Sequence, residues 1–402
     1  MRASWFTREG SVFGLLICLL IGAAGAFGQD VGGDASAGIF RARNPESRRR
    51  TRPSPRRGAR TTASTVTVED RVEDLLDKGN EFRDARRFAE AEASYRDILK
   101  IKPRDGRAAY GLGNIYFDQQ RWDEAESSYR EAVQWSPSDV DGLVALSVVL
   151  VQPRAGAGNA KRFAEAEGFA RRATNLAPKN AVAWDRLGVA LQSRGVWTNE
   201  TEQAYRRAVQ LDPQFAVAYA HLARVLNKMG RRADAEPLYA QAGQLAKDAP
   251  TLNLIAESLQ AEQQWENSEP VLKRALELDA RDATALLMMG RMLSVFKRFQ
   301  EAESYLKTAT EVSPRAFEPY HLLGSAYLAM QRYEEAEMTY ERALEFASAG
   351  DRKQLAGAYG MEGVGDGYAK AKKKPSAARA YKRALDIDPG NKRLEQKLSG
   401  VR

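Results

Sequence analysis

The chain has 402 residues, 44% of them hydrophobic and 28% charged, with a formal net charge of +8, two histidines and one cysteine. One cysteine excludes an intrachain disulfide and a Cys/His zinc set, and two imidazoles leave little material for a nucleophile–histidine hydrolase. Nine arginines and one acid between Arg41 and Arg60 supply +8, residues 1–40 sum to −1, and everything from Thr61 onward sums to about +1, so the body lacks the basic balance of a nucleic-acid-binding domain.

Residues 1–28 read as an export signal. Arg2 and Arg8 form a positive start, "SVFGLLICLLIGAAGAFG" is an apolar stretch of signal length, and Ala26 to Gly28 ("AFG") puts small residues where a signal peptidase needs them. Cleavage there would leave Gln29 first and make the protein periplasmic or secreted. The alternative is an uncleaved single-pass anchor, because Ser11 to Phe27 approaches the minimum spanning length. Cys18 lies inside the apolar stretch and reads as a small hydrophobe.

Residues 29–68 read as a disordered linker rich in Arg, Pro and Ser, with too few aliphatic residues to bury a core. Its Arg48, Arg49, Arg50, Arg52, Arg56 and Arg57 form a basic tract suited to anionic lipid, cell-wall polymer or nucleic acid, or else a solvated spacer.

From residue 69 to residue 390 one pattern recurs. "DEAESSYREAVQWSP" carries Ala125, Tyr129 and Ala132 at i, i+4 and i+7, one face of a helix, and ends at Pro137, which stops it. The equivalents of Ala132 are Ile98, Ala173, Ala208, Ala242, Ala275, Ala309, Ala343 and Ala384, mostly spaced by 33 to 35 residues, with two intervals of 41. Proline closes six of the nine copies, as at Pro103, Pro178, Pro213, Pro314 and Pro389. Upstream of each copy a second helical motif holds a small residue, as in "LGNIY" with Gly113 and "LGSAY" with Gly324. Two small residues let the paired helices approach closely, and Tyr129 and its equivalents are expected to fill the gap to the next unit. One seven-residue insertion, "RAGAGNAKR" (Arg154 to Arg162), falls between the two helices of repeat 3 and reads as a surface loop. Repeat 9 is glycine-rich in its first helix ("GMEGVGDGY") and is expected to be the least rigid.

These residues and this spacing resemble the tetratricopeptide repeat (TPR) family over nine units, about four fifths of the chain. The resemblance implies an all-α, right-handed superhelical solenoid of helix-turn-helix units, with a concave groove lined by the first (A) helix of each. Residues 391–402, with "NKRLEQKLSG", would form a C-terminal capping helix and tail.

No motif carries chemistry. "RAGAGNAKR" lacks the spacing and the preceding strand of a phosphate loop. Acidic pairs such as Glu334/Glu335 suit the N-terminal end of a helix dipole. No metal set, triad or cofactor motif is found, so the chain reads as a non-enzyme without cofactor, catalytic residues or small-molecule substrate. In the family the second, fifth, ninth and twelfth positions of each repeat, with the sixth beside them, face the groove. Here they include Asn80, Arg83, Tyr110, Asn114 and Phe117 in repeats 1 and 2, and His221, Arg224 and Asn227 in repeat 5. Repeats 6 and 7 add Asn253, Glu257, Gln260 and Arg291. Amides can bond a peptide backbone whatever its sequence, and aromatic rings supply anchors. His321 reads as a packing residue. Asn80 and Asn114 match one element of the family's clamp for a C-terminal carboxylate, but its lysine is replaced by Leu76 and Tyr110. The expected function is a non-catalytic interaction scaffold of the envelope or secreted space, taking an extended peptide or helix of a protein partner. The alternative is an anionic-surface binder working through the Arg41–Arg60 tract.

Overall fold

The structure, a computed structural model, describes residues 67–152, 154 and 158–401. The export signal and the arginine tract, with Arg48, Arg49, Arg50, Arg52, Arg56 and Arg57, lie outside the described residues. The described chain is all-α and falls into two compact units. The first, ending at Leu245, pairs α1 (Val68–Asp84) with α2 (Phe88–Ile101), α3 (Gly106–Asp118) with α4 (Trp122–Trp135), and α5 (Val140–Val151) with α6 (Asn159–Leu176). It continues with α7 (Ala181–Ser193) and α8 (Asn199–Leu211), then α9 (Ala216–Lys228) and α10 (Arg232–Leu245). The second, from Ala246, pairs α11 (Ala249–Ala261) with α12 (Trp265–Leu278), α13 (Ala283–Val295) with α14 (Phe299–Val312), and α15 (Phe317–Ala329) with α16 (Tyr333–Phe346). It ends with α17 (Ala349–Ala356), α18 (Met361–Lys370), α19 (Lys374–Ile387) and α20 (Lys392–Val401). No described helix is long and apolar enough to cross a membrane.

Short-range chemistry sets where each helix starts and stops. Several A helices begin on an acid or amide that accepts backbone N–H groups: Asp139 takes Gly142, Asn180 takes Ala183 and Asp282 takes Ala285. The A-to-B turn closes in the left-handed region. Arg86, Gln120, Gln263, Lys297, Gln331 and Lys372 have φ between 56° and 61°, while Gly195 and Gly230 fill the same place in repeats 4 and 5. The following amide bonds five residues back, as Arg121 N does to Tyr116 O at 2.8 Å, which satisfies carbonyls that the helix end would leave open.

The residue after the left-handed one is often an arginine, and it does two jobs. Arg231, Arg298 and Arg332 each bond the acid three residues on, and each also reaches a glutamate of the preceding B helix: Glu202 at 2.7 Å, Glu269 at 2.9 Å and Glu303 at 2.6 Å. Arg332 lies over the Tyr327 ring, 4.5 Å from its centre. The acids at B-helix starts, Glu335 among them, are thus arginine partners as well as helix-dipole acids.

The repeated small residues form the core. Ala125, Tyr129 and Ala132 are buried, as are their counterparts along the chain. The tyrosine fills the expected gap to the next unit in places, as Tyr205 does against His221, and also a second gap within its own repeat. A Cβ on Gly113 would lie 2.4 Å from the Tyr129 ring, and Gly79, Gly188, Gly324 and Gly365 stand in the same relation to Tyr95, Tyr205, Tyr340 and Tyr381. The ring therefore seats on the A helix of its own repeat. Tyr95 also reaches the next one, where a Cβ on Gly111 would lie 2.5 Å away.

The two insertions resolve differently. In repeat 3 part of the extra length extends the start of α6, and Arg154 and Arg162 are held by neighbouring groups. Arg154 pairs with Asp123 and Glu126, and Arg162 bonds the carbonyls of Gln152 and Val149. In repeat 9 the extra length forms a separate helix, α17, ahead of the A helix α18. The glycines that follow are points of close approach: a Cβ on Gly367 would lie 2.2 Å from the Tyr333 ring, and one on Gly363 would lie 2.0 Å from Ala358 O. Helix α20 buries Leu394 completely and brings Arg393 and Lys397 onto Glu362, which is 3% exposed in its side chain. Those two cations compensate a carboxylate that would otherwise be buried alone.

Candidate functional site

Within each unit, neighbouring A helices touch: α1 with α3, α5 with α7, α11 with α13 and α13 with α15. No adjacent B helices among the described residues approach as closely, so the A helices line the inner side of each unit.

In repeats 1 and 2 the inner side is built on the core tyrosines. Tyr95 donates its hydroxyl to Asn80 Oδ1 and Tyr129 donates to Asn114 Oδ1, both at 2.8 Å. The rung recurs as Tyr205 to Gln192 at 2.6 Å, Tyr340 with Ser325 at 3.1 Å and Tyr381 to Asp366 at 2.6 Å. Asn80 thus has its acceptor engaged and its amide N–H left to offer, whereas buried Asn114 is engaged on both sides. Burial drives the Tyr95 hydroxyl up to about 12 and that of Tyr129 well above its ordinary value, so both stay protonated donors. Asn114, itself buried, also bonds the Tyr110 hydroxyl, which burial and then Asp141 push well up. The Tyr110 ring lies 5.9 Å from that of Tyr129. Arg83 is largely covered, 3.4 Å from Asp84, and its charge reaches the hydroxyls of Tyr95, Tyr110 and Tyr129. Asn80, Arg83, Tyr110 and Asn114 therefore share one face. Phe117 does not join them as an open anchor: it is 3% exposed and packs edge-on against Trp122, with ring centres 5.1 Å apart.

Between this face and the next, α5 is buried throughout from Leu143 to Val151, with Ser147 its one polar residue in that stretch. Repeats 4 and 5 then bring a second polar group. His221 Nδ1 is 2.8 Å from Asp185 Oδ1, and its ring centre lies 5.2 Å from that of Tyr205. Asp185 is fully buried. Burial alone would raise its carboxyl, but the charges of His221 and Arg186 outweigh it and hold the group below the ordinary carboxylate value. Arg224 and Asn227 are partly exposed on the same helix as His221. Asp185 and Arg186 were not singled out from sequence, although Asp185 stands at the fifth position of repeat 4, the rule already applied to its neighbours.

In the second unit Asn253 donates to Asp282 Oδ1 at 2.8 Å, while its own Oδ1 is unpartnered. Arg291 pairs with Glu318, and Glu257 is partly exposed. Gln260 turns inward, with Nε2 3.3 Å from Ser268 Oγ and Met288 O. His321 stacks on Phe317 with ring centres 5.2 Å apart.

Family models described as "Tetratricopeptide repeat" match residues 76–140 and 253–316, 315–389, and 215–247, together more than half of the chain. No curated protein matches it by sequence. Among solved structures, a thermophilic TPR protein of Thermus thermophilus is 22% identical with a TM-score of 0.41, over 47% of this chain and 99% of that one. The pilF protein of Pseudomonas aeruginosa is 15% identical with a TM-score of 0.42, over 54% and 96%. YrrB, described as a TPR protein with an unusual peptide-binding site, is 21% identical with a TM-score of 0.36, over 44% and 91%.

Proposed function

The chain belongs to the tetratricopeptide repeat family, whose members are generally protein-interaction scaffolds without catalytic activity, and we propose that it holds an extended segment or helix of a partner protein against its A helices, in the cell envelope or the secreted space. One observation carries the reading. The inner side of the first unit presents half-covered polar and aromatic side chains at two places, around Tyr110 and around Arg224, separated by the apolar α5. Spaced polar groups on a rigid apolar wall suit a segment that offers backbone amides and alternate side chains. The export-signal pattern of residues 1–28 supports the location.

The test is a crosslinking pull-down from the envelope fraction with the wild-type chain and a Tyr110→Ala/Asn114→Ala/Arg224→Ala variant, whose fold is checked by circular dichroism. Partners captured by wild type should be lost from the variant. An unchanged set of partners would place binding elsewhere. N-terminal sequencing of the protein from the same fraction should give Gln29, and a chain still beginning at Met1 would favour the single-pass anchor.

A second reading rests on the nine arginines between Arg41 and Arg60. In that case the tract binds an anionic lipid or polymer surface and the repeats stand off from it.

A further inference from the structure

The A-helix face of repeats 4 and 5 holds more hydrogen-bond donors than the protein satisfies. The Oδ1 of Asp185 is taken by His221, and its Oδ2 lies 3.4 Å from Arg186 Nε, close enough for attraction but with no hydrogen bond formed. Arg186 is 4% exposed, and neither its Nε nor its Nη2 has a hydrogen-bond partner. The Nδ2 of Asn227 has none either. Arg224, one helical turn before Asn227 and partly exposed, makes no hydrogen bond or ion pair among the described residues, although its charge reaches the Tyr205 hydroxyl. This sets it apart from Arg231, Arg298 and Arg332, each of which holds two carboxylates. Buried donors without acceptors are costly, and native proteins rarely keep them without a use.

The charges point the same way. The one acid at the inner positions of α7 and α9 is Asp185, and it is already shared between His221 and Arg186. Arg224 is therefore a cation without a counter-charge on α7 or α9, and it forms no ion pair among the described residues. Val189 and Val217 are buried nearby on the same two helices. A planar guanidinium fork free of partners matches a planar carboxylate that brings acceptors only.

Resting on the scaffold reading above, we propose that this face binds the side-chain carboxylate of an acidic residue within an extended partner segment. Arg224 supplies the fork, while Asp185, His221, Arg186 and Asn227, whose Nδ2 is buried, are positioning residues that hold the wall behind it. The site differs from the family's terminal-carboxylate clamp in its repeat, its residue types and its ligand, which is internal to the partner chain.

The test uses the full chain and two labelled, C-terminally amidated twelve-residue peptides, one with Asp at alternate positions and one with Asn in its place. Fluorescence anisotropy is read for wild type, Arg224→Gln and Arg224→Lys. The arginine tract attracts the acidic peptide equally in all three proteins, so the difference between them isolates this face. The acidic peptide should bind Arg224→Gln about tenfold more weakly than wild type, with Arg224→Lys between, and the Asn peptide should not distinguish them. Equal affinity of the acidic peptide for wild type and Arg224→Gln overturns the carboxylate site. Photocrosslinking separates the two failures: if the Asn peptide then still labels α3 or α9, the general scaffold reading survives while this site does not.

Discussion

At the residue scale the tightest constraint is the seat of the core tyrosine on a glycine. Gly113→Ala would place a Cβ 2.4 Å from the Tyr129 ring, and that ring is fully buried and cannot swing away. Overpacking of this kind costs about 1–3 kcal/mol, more than the helix preference of alanine returns. Gly168 is the contrast: it lies exposed within α6, and a methyl added there would meet nothing within 4 Å. Gly168→Ala should stabilise by about 0.5–1 kcal/mol. Thermal melts of the two variants should therefore move in opposite directions, and shifts of the same sign would refute the packing account. The small–tyrosine pairing was legible in the sequence, because a motif repeated nine times, six of them with tyrosine, averages out local accident. That the ring also seats on the A helix of its own repeat was not, since spacing along one helix does not give every neighbour a ring meets. The hydrogen bond from Tyr129 to Asn114 was equally hidden, and it changes what Asn114 has left to offer a partner.

At the element scale the turns and helix ends follow from local chemistry, and the departures follow from insertions. The glycine-rich A helix of repeat 9 is expected from sequence to be the least rigid; in the structure it is the single helix α18, preceded by α17, and its glycines are points of close packing. His321 of α15 ties this region down: it bonds the Tyr359 backbone, between α17 and α18, and contacts the Tyr340 ring at 6.0 Å. Burial lowers its titration from 6.5 to about 4; the Tyr359 bond and the charge of Asp351 oppose the shift only in part. The unfolded chain then binds a proton that the folded chain does not between those two values. The stability involved is fully present above about pH 6.5 and is lost as the pH falls toward 4, by an amount on the order of 2–3 kcal/mol. Urea midpoints measured at pH 7.5 and pH 4.5 should differ less in His321→Phe than in wild type, because carboxylates titrate equally in both proteins. An equal difference would show that His321 is not the group responsible.

At the scale of the whole molecule, charge and fold are carried by different segments. The residues from Thr61 onward are almost balanced, at about +1, and the structure shows why so many of their charges are silent: arginines at helix starts and acids on the preceding B helix are spent on each other. Sequence alone placed the excess in Arg41–Arg60 but could not see that the repeat body neutralises itself pair by pair, since partners such as Arg231 and Glu202 lie 29 residues apart. Attraction to an anionic surface, if the protein has it, should therefore reside in the tract. Binding of the full chain to phosphatidylglycerol vesicles should be strong at low salt. It should fade as added salt shortens the screening length from about 10 Å at 0.1 M to about 3 Å at 1 M. Deleting residues 41–60 should abolish it, whereas Arg224→Gln should leave it unchanged. Vesicle binding that survives the deletion would assign the attraction to the repeats, and then the pairing of their charges could not be the reason the body is neutral toward such surfaces.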